Sequence, residues 1–431
     1  MRLPVWNKPR IVGCAENYSQ HIGLPRGCLE AALNLLQENG IRADLIDERV
    51  PGRKVTAKFT GTLRKDQKAA VREMLKHEVG VLCAPTAFGK TVSAAALIAR
   101  RKVSTLVLVH RTELLRQWQE RLTGVLAFPS GSLGVIGGGK KKPSGKIDIA
   151  VLQSLTRRED LGELLDQYGQ IIIDECHHLS AFSFESILKR AKAKFVVGLT
   201  ATPIRRDGHQ PIIFMQCGPI RHSATKPDTA PAQMEVWPRM LPSPEIPPDS
   251  PIQDVFRIIA GDADRNRIIA KDVLTAYQEG RKVLVLTERT DHLPLLHNAL
   301  KDKVENCFVL HGRLSMKQRT AVFADLNALD ELVPRILLAT GRLVGEGFDH
   351  PPLDTLVLAM PISWKGTLQQ YAGRLHREHT DKQDVRIYDY AEAAQPQLAR
   401  MWDKRQRGYR AMGYEIKQVV ADNLGNASII N

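Results

Sequence analysis

No apolar run in these 431 residues approaches the roughly 18 that a membrane-spanning helix needs. The opening stretch, Met1 to Arg10, has no apolar core, so no secretory signal is expected. These two absences predict a soluble, intracellular protein with no membrane partner. The six cysteines (Cys14, Cys28, Cys83, Cys176, Cys217 and Cys307) include no CxxC pair and stand far apart. A zinc site and a disulfide framework are therefore not expected, and reduced, mostly buried thiols are. Internal repeats with a period of 20–50 residues and long low-complexity tracts are also missing. What remains is ordinary globular composition, 43% hydrophobic and 25% charged, with a formal net charge of +14. The length suggests two or three domains. The charge suits a polyanionic partner such as nucleic acid without identifying one.

Charge and proline divide the chain. Residues 1–58 carry +3, residues 59–228 carry +11, residues 229–250 carry −2 and residues 251–431 carry +2. Eight prolines fall between Lys226 and Pro251. Proline fixes φ and lacks a donor, so residues 229–250 read as a linker with at most one edge strand near Met234 to Arg239. On both sides of it, short β-branched runs alternate with helical patterns. The strand candidates are Val81–Cys83, Thr105–Val109, Ile147–Val151, Ile171–Ile173 and Phe195–Leu199. After the linker come Val283–Thr287, Cys307–Leu310, Ile336–Ala339, Thr355–Leu358 and Val385–Tyr388. This alternation predicts α/β architecture: two doubly wound parallel-sheet domains over 59–228 and 251–431. Residues 1–58 read as a small α/β accessory domain, with strands near Ile11–Cys14 and Ala43–Asp47 and a helix over Gly27–Glu38.

The strand Val81–Cys83 runs into Ala84-Pro-Thr86-Ala87-Phe-Gly89-Lys90-Thr91 and then a helix. This is a P-loop pattern with Ala84 at the first glycine position. Its backbone N–H groups would cradle phosphates at a helix N-terminus. Lys90 would reach the β- and γ-phosphates, and the Thr91 hydroxyl would hold Mg²⁺. The run Ile171-Ile-Ile-Asp174-Glu175-Cys176-His177-His178 places two carboxylates at a strand end. Hydrolysis of a γ-phosphate needs one carboxylate for the metal, here Asp174, and one for water, here Glu175. His177 and His178 read as a hydrogen-bonding relay to the next motif rather than a metal site.

In order along the chain, these residues resemble a superfamily 2 DExH-box helicase, in the XPB/UvsW-like and restriction-subunit-like branch. Leu63-Arg64-Lys65-Asp66-Gln67 resembles the Q-type adenine motif, which makes Arg64 and Gln67 nucleotide contacts. Asp174-Glu175-Cys176-His177 resembles the DExH box, and Thr200-Ala201-Thr202-Pro203 resembles motif III. Thr340-Gly341-Arg342 with Gly345-Glu346-Gly347-Phe348-Asp349 resembles motif V and places Gly347 and Asp349 at the nucleotide. Gln370-Tyr-Ala-Gly373-Arg374-Leu-His-Arg377 resembles motif VI and gives catalytic roles to Gln370, Arg374 and Arg377. Branch features are the stretch His110–Trp118 and the GEGFD form of motif V. Arg205-Arg206-Asp207 stands where XPB-like chains carry an Arg-Glu-Asp loop, with its middle charge reversed. No thumb insertion and no nuclease signature is evident, so a cutting role would need a partner chain.

The resemblance implies two tandem RecA-like domains, ATP and Mg²⁺ as cofactors, and a backbone-gripping nucleic-acid track. On that track stand Arg111, Thr112, Gln153, Ser154 and Thr340. Such donors read phosphates, so binding would be sequence-independent and salt-sensitive. The expected activity is ATP-dependent translocation or unwinding of DNA, 3′ to 5′, in repair, recombination or phage defence, with a nucleoid-associated location. An RNA helicase, a translocase subunit of a restriction complex and a non-catalytic scaffold are the alternatives. The lysine-rich stretch Gly137–Lys146 reads either as a flexible nucleic-acid contact or as a solvated hairpin loop. Trp402 and Tyr409 read equally as base-stacking or as helix packing. Trp118, at helical spacing from Leu114 and Leu115, reads as core.

Overall fold

Strands buried on both faces are mostly apolar, and the aliphatic runs picked out above meet that demand apart from single polar residues such as the buried Asp148. The computed structural model describes residues 14–85, 88–156, 158–177, 181–201, 210–224, 231, 233–242, 244–247, 249–341, 344, 350–362, 365–376, 382, 384–421 and 427–429. It divides into two units, Met1–Thr225 and Lys226–Asn431.

The first unit is built on eight strands: β1 (Val79–Cys83), β2 (Thr105–Val109), β3 (Leu133–Gly137), β4 (Lys140–Lys142), β5 (Ile147–Val151), β6 (Gln170–Ile173), β7 (Phe195–Thr200) and β8 (Ile220–Ser223). Their order is β8-β1-β7-β6-β2-β5-β3-β4. All pairs are parallel except β3–β4. Side-chain alternation splits the central strands between two cores. In β2, Val107 and Val109 join one cluster while Leu106 and Leu108 join the other. Helices cover both faces, as a doubly wound sheet requires.

The second unit repeats the plan with seven strands: β9 (Gln233–Met240), β10 (Lys282–Thr287), β11 (Cys307–Leu310), β12 (Arg335–Thr340), β13 (Thr355–Leu358), β14 (Asp384–Ala391) and β15 (Glu415–Ile416). The order is β11-β12-β10-β13-β14-β9-β15, parallel throughout. Leu284 and Leu286 of β10 face one core, and Val283 and Val285 the other.

Three expectations change. The proline-rich linker gives up its first half to β9, which pairs along its full length with β14 and at Glu235 and Val236 with β15. It is thus not an edge strand, yet it tolerates Pro238 for a geometric reason. The Val236 carbonyl accepts from Lys417 N on the β15 side. Pro238 has the same parity, so its missing N–H points beyond the two-residue β15, where no ladder bond is lost. The lysine-rich stretch is a hairpin: Lys140–Lys142 pairs antiparallel with β3 across a Gly138–Gly139 turn.

Finally, among the described residues of 1–58 the strands are not where they were expected: Glu16–Asn17 pairs antiparallel with Ile22–Gly23 ahead of the helix. Helix α1 (Leu29–Glu38) buries none of its residues, and residues 43–47 form no strand. Ile11–Gly13 lie outside the described residues, and Cys14 is in no strand. This segment is fastened to the sheet unit by Arg26, whose guanidinium donates to the carbonyls of Ala193 (3.0 Å), Leu188 (3.2 Å) and Ala191.

Candidate active site

The strand order places the ends of β1, β7, β6 and β2 side by side, because β7 lies between β1 and β6. Ala84 N donates to Thr200 O (2.9 Å), Cys176 N to Leu199 O (3.0 Å) and Asp174 N to Leu108 O (3.0 Å). Residues far apart in sequence thus meet at one carboxyl edge, where open α/β sheets bind ligands.

After β1 the chain turns into helix α3 (Lys90–Arg101), with Gly89 as its N-cap at φ +81°. That left-handed conformation favours glycine. Space demands it too, since a Cβ there would stand 2.5 Å from Gln67 Nε2. Helix α2 (Lys65–Leu75) closes on the loop through Gln67 and Arg64. Gln67 Oε1 accepts from Arg64 N (3.0 Å), while its Nε2 donates to Phe88 O (2.7 Å). Arg64 Nη2 donates to the same carbonyl (2.9 Å). Gln67 therefore has a task that the adenine reading did not foresee, fixing the phosphate loop to α2. Thr86 and Ala87 lie outside the described residues. Lys90 is buried, with Nζ donating to Ala84 O (3.1 Å) and 3.5 Å from Glu175 Oε1. Thr91 is half-buried on the first turn of α3.

Asp174 is buried at the end of β6. Its Oδ1 accepts from Glu175 N (3.0 Å), and its Oδ2 accepts from the indole of Trp118 (2.7 Å). Burial and the neighbouring Glu175 charge push the Asp174 carboxyl above the usual range, opposed by the Trp118 hydrogen bond and Lys90. Glu175 adopts φ +44°. For a non-glycine residue this costs on the order of 1–2 kcal/mol, a cost that recurs at functional sites. The turn aims Glu175 between Lys90 and His177, whose Nδ1 lies 3.3 Å from Oε2. His177 Nδ1 also pairs with Thr200 Oγ1 (2.8 Å). The expected relay from DExH box to motif III is present at that contact. His178, Thr202, Pro203 and Arg205–Asp207 lie outside the described residues. A few hard oxygen donors beside a helix N-terminus and an ammonium suit Mg²⁺ carried in on phosphates.

Four of the backbone-contact candidates also converge. Arg111 is the N-cap of helix α4 (Thr112–Val125), and Thr112 opens it. Gln153 and Ser154 lie in the short helix Leu152–Leu155 after β5. The β3–β4 turn sits against both: a Cβ on Gly138 would lie 2.8 Å from Thr112 Cγ2, and one on Gly137 3.3 Å from Ser154 Oγ.

In the second unit, Thr340 ends β12. Gln370 and the buried Arg374 stand on the helix Lys365–Leu375. Gly347, Asp349 and Arg377 lie outside the described residues. Tyr371, on the same helix, donates to Glu288 Oε1 (2.8 Å). Tyr409 is buried and donates to Asp389 (2.7 Å), and Trp402 packs on the same core. Of the two readings for this pair, helix packing is the one realised. Trp118 is core as expected, but its bond to Asp174 was not foreseen. The only hint in the sequence was that a buried indole needs an acceptor.

The strand-end groups define a P-loop nucleotide-binding domain with a DExH box. The model of the type III restriction enzyme res subunit matches residues 60–205, and that of the helicase conserved C-terminal domain matches residues 266–379. The DNA 3′-5′ translocase XPB2 of Sulfurisphaera tokodaii is 35% identical over 158 residues, covering 37% of this chain and 35% of the translocase. The DNA 3′-5′ helicase XPB of Kineococcus radiotolerans is 28% identical over 390 residues, 84% of this chain and 65% of that one. The chain thus spans from about a third (35%) to about two thirds (65%) of these relatives' own length. Among solved structures, a fragment of a putative HsdR subunit of a type I restriction enzyme from Vibrio vulnificus YJ016 shares the fold. Its TM-score is 0.61 at 20% identity, over 92% of this chain and 75% of that one. The protein belongs to the superfamily 2 helicases, in the branch of XPB, UvsW and restriction subunits, and its two sheets are the tandem RecA-like domains of that family. Among the described residues no helix is long and apolar enough to cross a membrane.

Proposed function

We propose that this protein is an ATP-dependent DNA translocase or helicase that moves 3′ to 5′ along the backbone in the cell interior. The observation that carries this reading is the meeting of Lys90, Asp174 and Glu175 at one sheet edge, with Glu175 held at φ +44°. Thr91 and Asp174 would hold Mg²⁺, which when bound neutralises phosphate charge. Incoming phosphates compete for Lys90 Nζ, drawing it away from Ala84 O and Glu175. Glu175 then orients and deprotonates the attacking water, braced by His177 against Thr200. Arg64, Gln67, Thr86, Ala87, Gly89, Gly347 and Asp349 are assigned to the nucleotide. Gln370, Arg374 and Arg377 take the phosphate-facing part that the family resemblance implies. Arg111, Thr112, Gln153, Ser154 and Thr340 are assigned to the nucleic-acid backbone. A cutting function would come from a partner nuclease.

Glu175→Gln tests the centre of this reading. It keeps the shape of the side chain and removes the base, so ATP binding should persist while turnover falls at least about 10²-fold. Near-normal hydrolysis in that variant would sink the assignment. Titrating ATPase activity with single-stranded DNA, duplex, forks and RNA tests the substrate. DNA should stimulate most, and stronger stimulation by RNA would move the protein to the RNA helicases.

A further inference from the structure

Trp118 lies in the middle of α4, on the face that carries Leu114, Leu115 and Leu122. Any large apolar side chain would fill that place. An indole does one thing more: it donates a single hydrogen bond, accepts none and brings no charge. Here that bond goes to Asp174 Oδ2 at 2.7 Å, across 56 residues of sequence. The other carboxylate oxygen is held by its own neighbour's N–H, Glu175 N to Oδ1 at 3.0 Å. The two donors act on different oxygens and fix the plane of the carboxylate. Each oxygen keeps a lone pair for a cation, and the indole adds no positive charge to that of Lys90. A lysine or arginine in that place would do both harms.

We propose that Trp118 is a positioning residue, whose indole N–H sets the Asp174 carboxylate in the orientation that receives the divalent cation. This rests on the reading of Asp174 as the metal carboxylate. Donors behind a metal ligand commonly change metal affinity by 10–100-fold when removed. A purely packing role predicts no such change once the shape is preserved.

Two variants separate these roles. Trp118→Phe removes the donor and part of the ring. Replacing Trp118 by β-(3-benzothienyl)alanine removes the donor and keeps the bicyclic shape, so the test survives if the phenylalanine variant does not fold. The measurement is the Mg²⁺ dependence of binding a fluorescent ADP, with thermal unfolding followed in parallel. The benzothienyl variant should melt as wild type does, bind nucleotide equally without metal, and need about tenfold more Mg²⁺ for half-maximal tightening. An unchanged Mg²⁺ requirement in a folded variant would overturn the proposal and return Trp118 to packing alone. If nucleotide binding by the wild type is indifferent to Mg²⁺, the reading of Asp174 fails, and the proposal falls with it. An intact wild-type Mg²⁺ response with an unshifted variant defeats the proposal alone.

Discussion

His292 is fully buried, and both of its ring nitrogens are engaged. Asn266 donates to Ala260 O (2.8 Å), which leaves its side-chain oxygen to accept from His292 Nε2 (2.8 Å). Nδ1 faces the Thr287 hydroxyl at 3.0 Å. This arrangement satisfies a neutral ring with its proton on Nε2. Burial, with the Arg265 charge adding to it, lowers the imidazole from 6.5 to about 3. The folded state therefore refuses a proton that the unfolded chain accepts. Stability is intact above pH 6.5 and is lost as pH falls from 6.5 toward 3. At about 1.4 kcal/mol per pH unit, the loss at pH 5 is roughly 2 kcal/mol. Amide exchange in the helix Ala263–Gln278 should accelerate accordingly between pH 7 and pH 5, after correction for intrinsic rates. His292→Gln should flatten that pH dependence. Equal slopes in the two proteins would show that this ring does not titrate on unfolding.

At the scale of elements, the end of β12 and the helix Lys365–Leu375 are keyed to each other at Gly341. A Cβ there would fall inside contact distance of the Tyr371 hydroxyl and of Glu288 Oε1, the pair joined at 2.8 Å. Gly341→Ala should cost about 1–3 kcal/mol, as overpacking does. In a Tyr371→Phe background the same change should cost less, because part of the obstruction is gone. Urea unfolding of the four proteins measures the coupling, and strict additivity would contradict it. This contact shows why some of the molecule was legible beforehand and some was not. Strands with both faces buried announce themselves as aliphatic runs, and Thr105–Val109 and Thr355–Leu358 were found to the residue. Lys140–Lys142 has no such run and becomes a strand only by pairing with β3. Ile220–Ser223 depends in the same way on β1. The spacing around Lys90, Asp174 and Glu175 marks the site because strand-end chemistry is local. The grip of Gln67 on Phe88 O, the Trp118–Asp174 bond and the Tyr371–Glu288 pair span 21, 56 and 83 residues. Tertiary folding alone brings those partners together.

For the whole molecule, the charge follows the boundary between the units. Met1–Thr225 holds 34 basic and 20 acidic residues, whereas Lys226–Asn431 holds 27 of each. The entire excess of +14 belongs to the first unit. That unit also gathers Arg111, Thr112, Gln153 and Ser154 around the lysine-bearing hairpin. A phosphate backbone gripped there releases counterions, and each phosphate neutralised steepens the dependence of log affinity on log salt by about 0.9 for duplex DNA. Removing one gripping cation in the first unit should therefore flatten that dependence. Removing an exposed cation in the neutral unit should not. Arg111→Ala should weaken binding equally across sequences and reduce the slope by about 1. Arg267→Ala takes away a solvent-exposed guanidinium paired with Asp264 in the second unit, and should leave the slope where it was. Fluorescence anisotropy on two unrelated duplexes between about 50 and 200 mM salt compares the three proteins. If Arg111→Ala leaves the slope unchanged, Arg111 is off the track. If Arg267→Ala flattens it as much, the cationic part of the grip is not confined to the first unit, and the charge asymmetry does not report where nucleic acid is held.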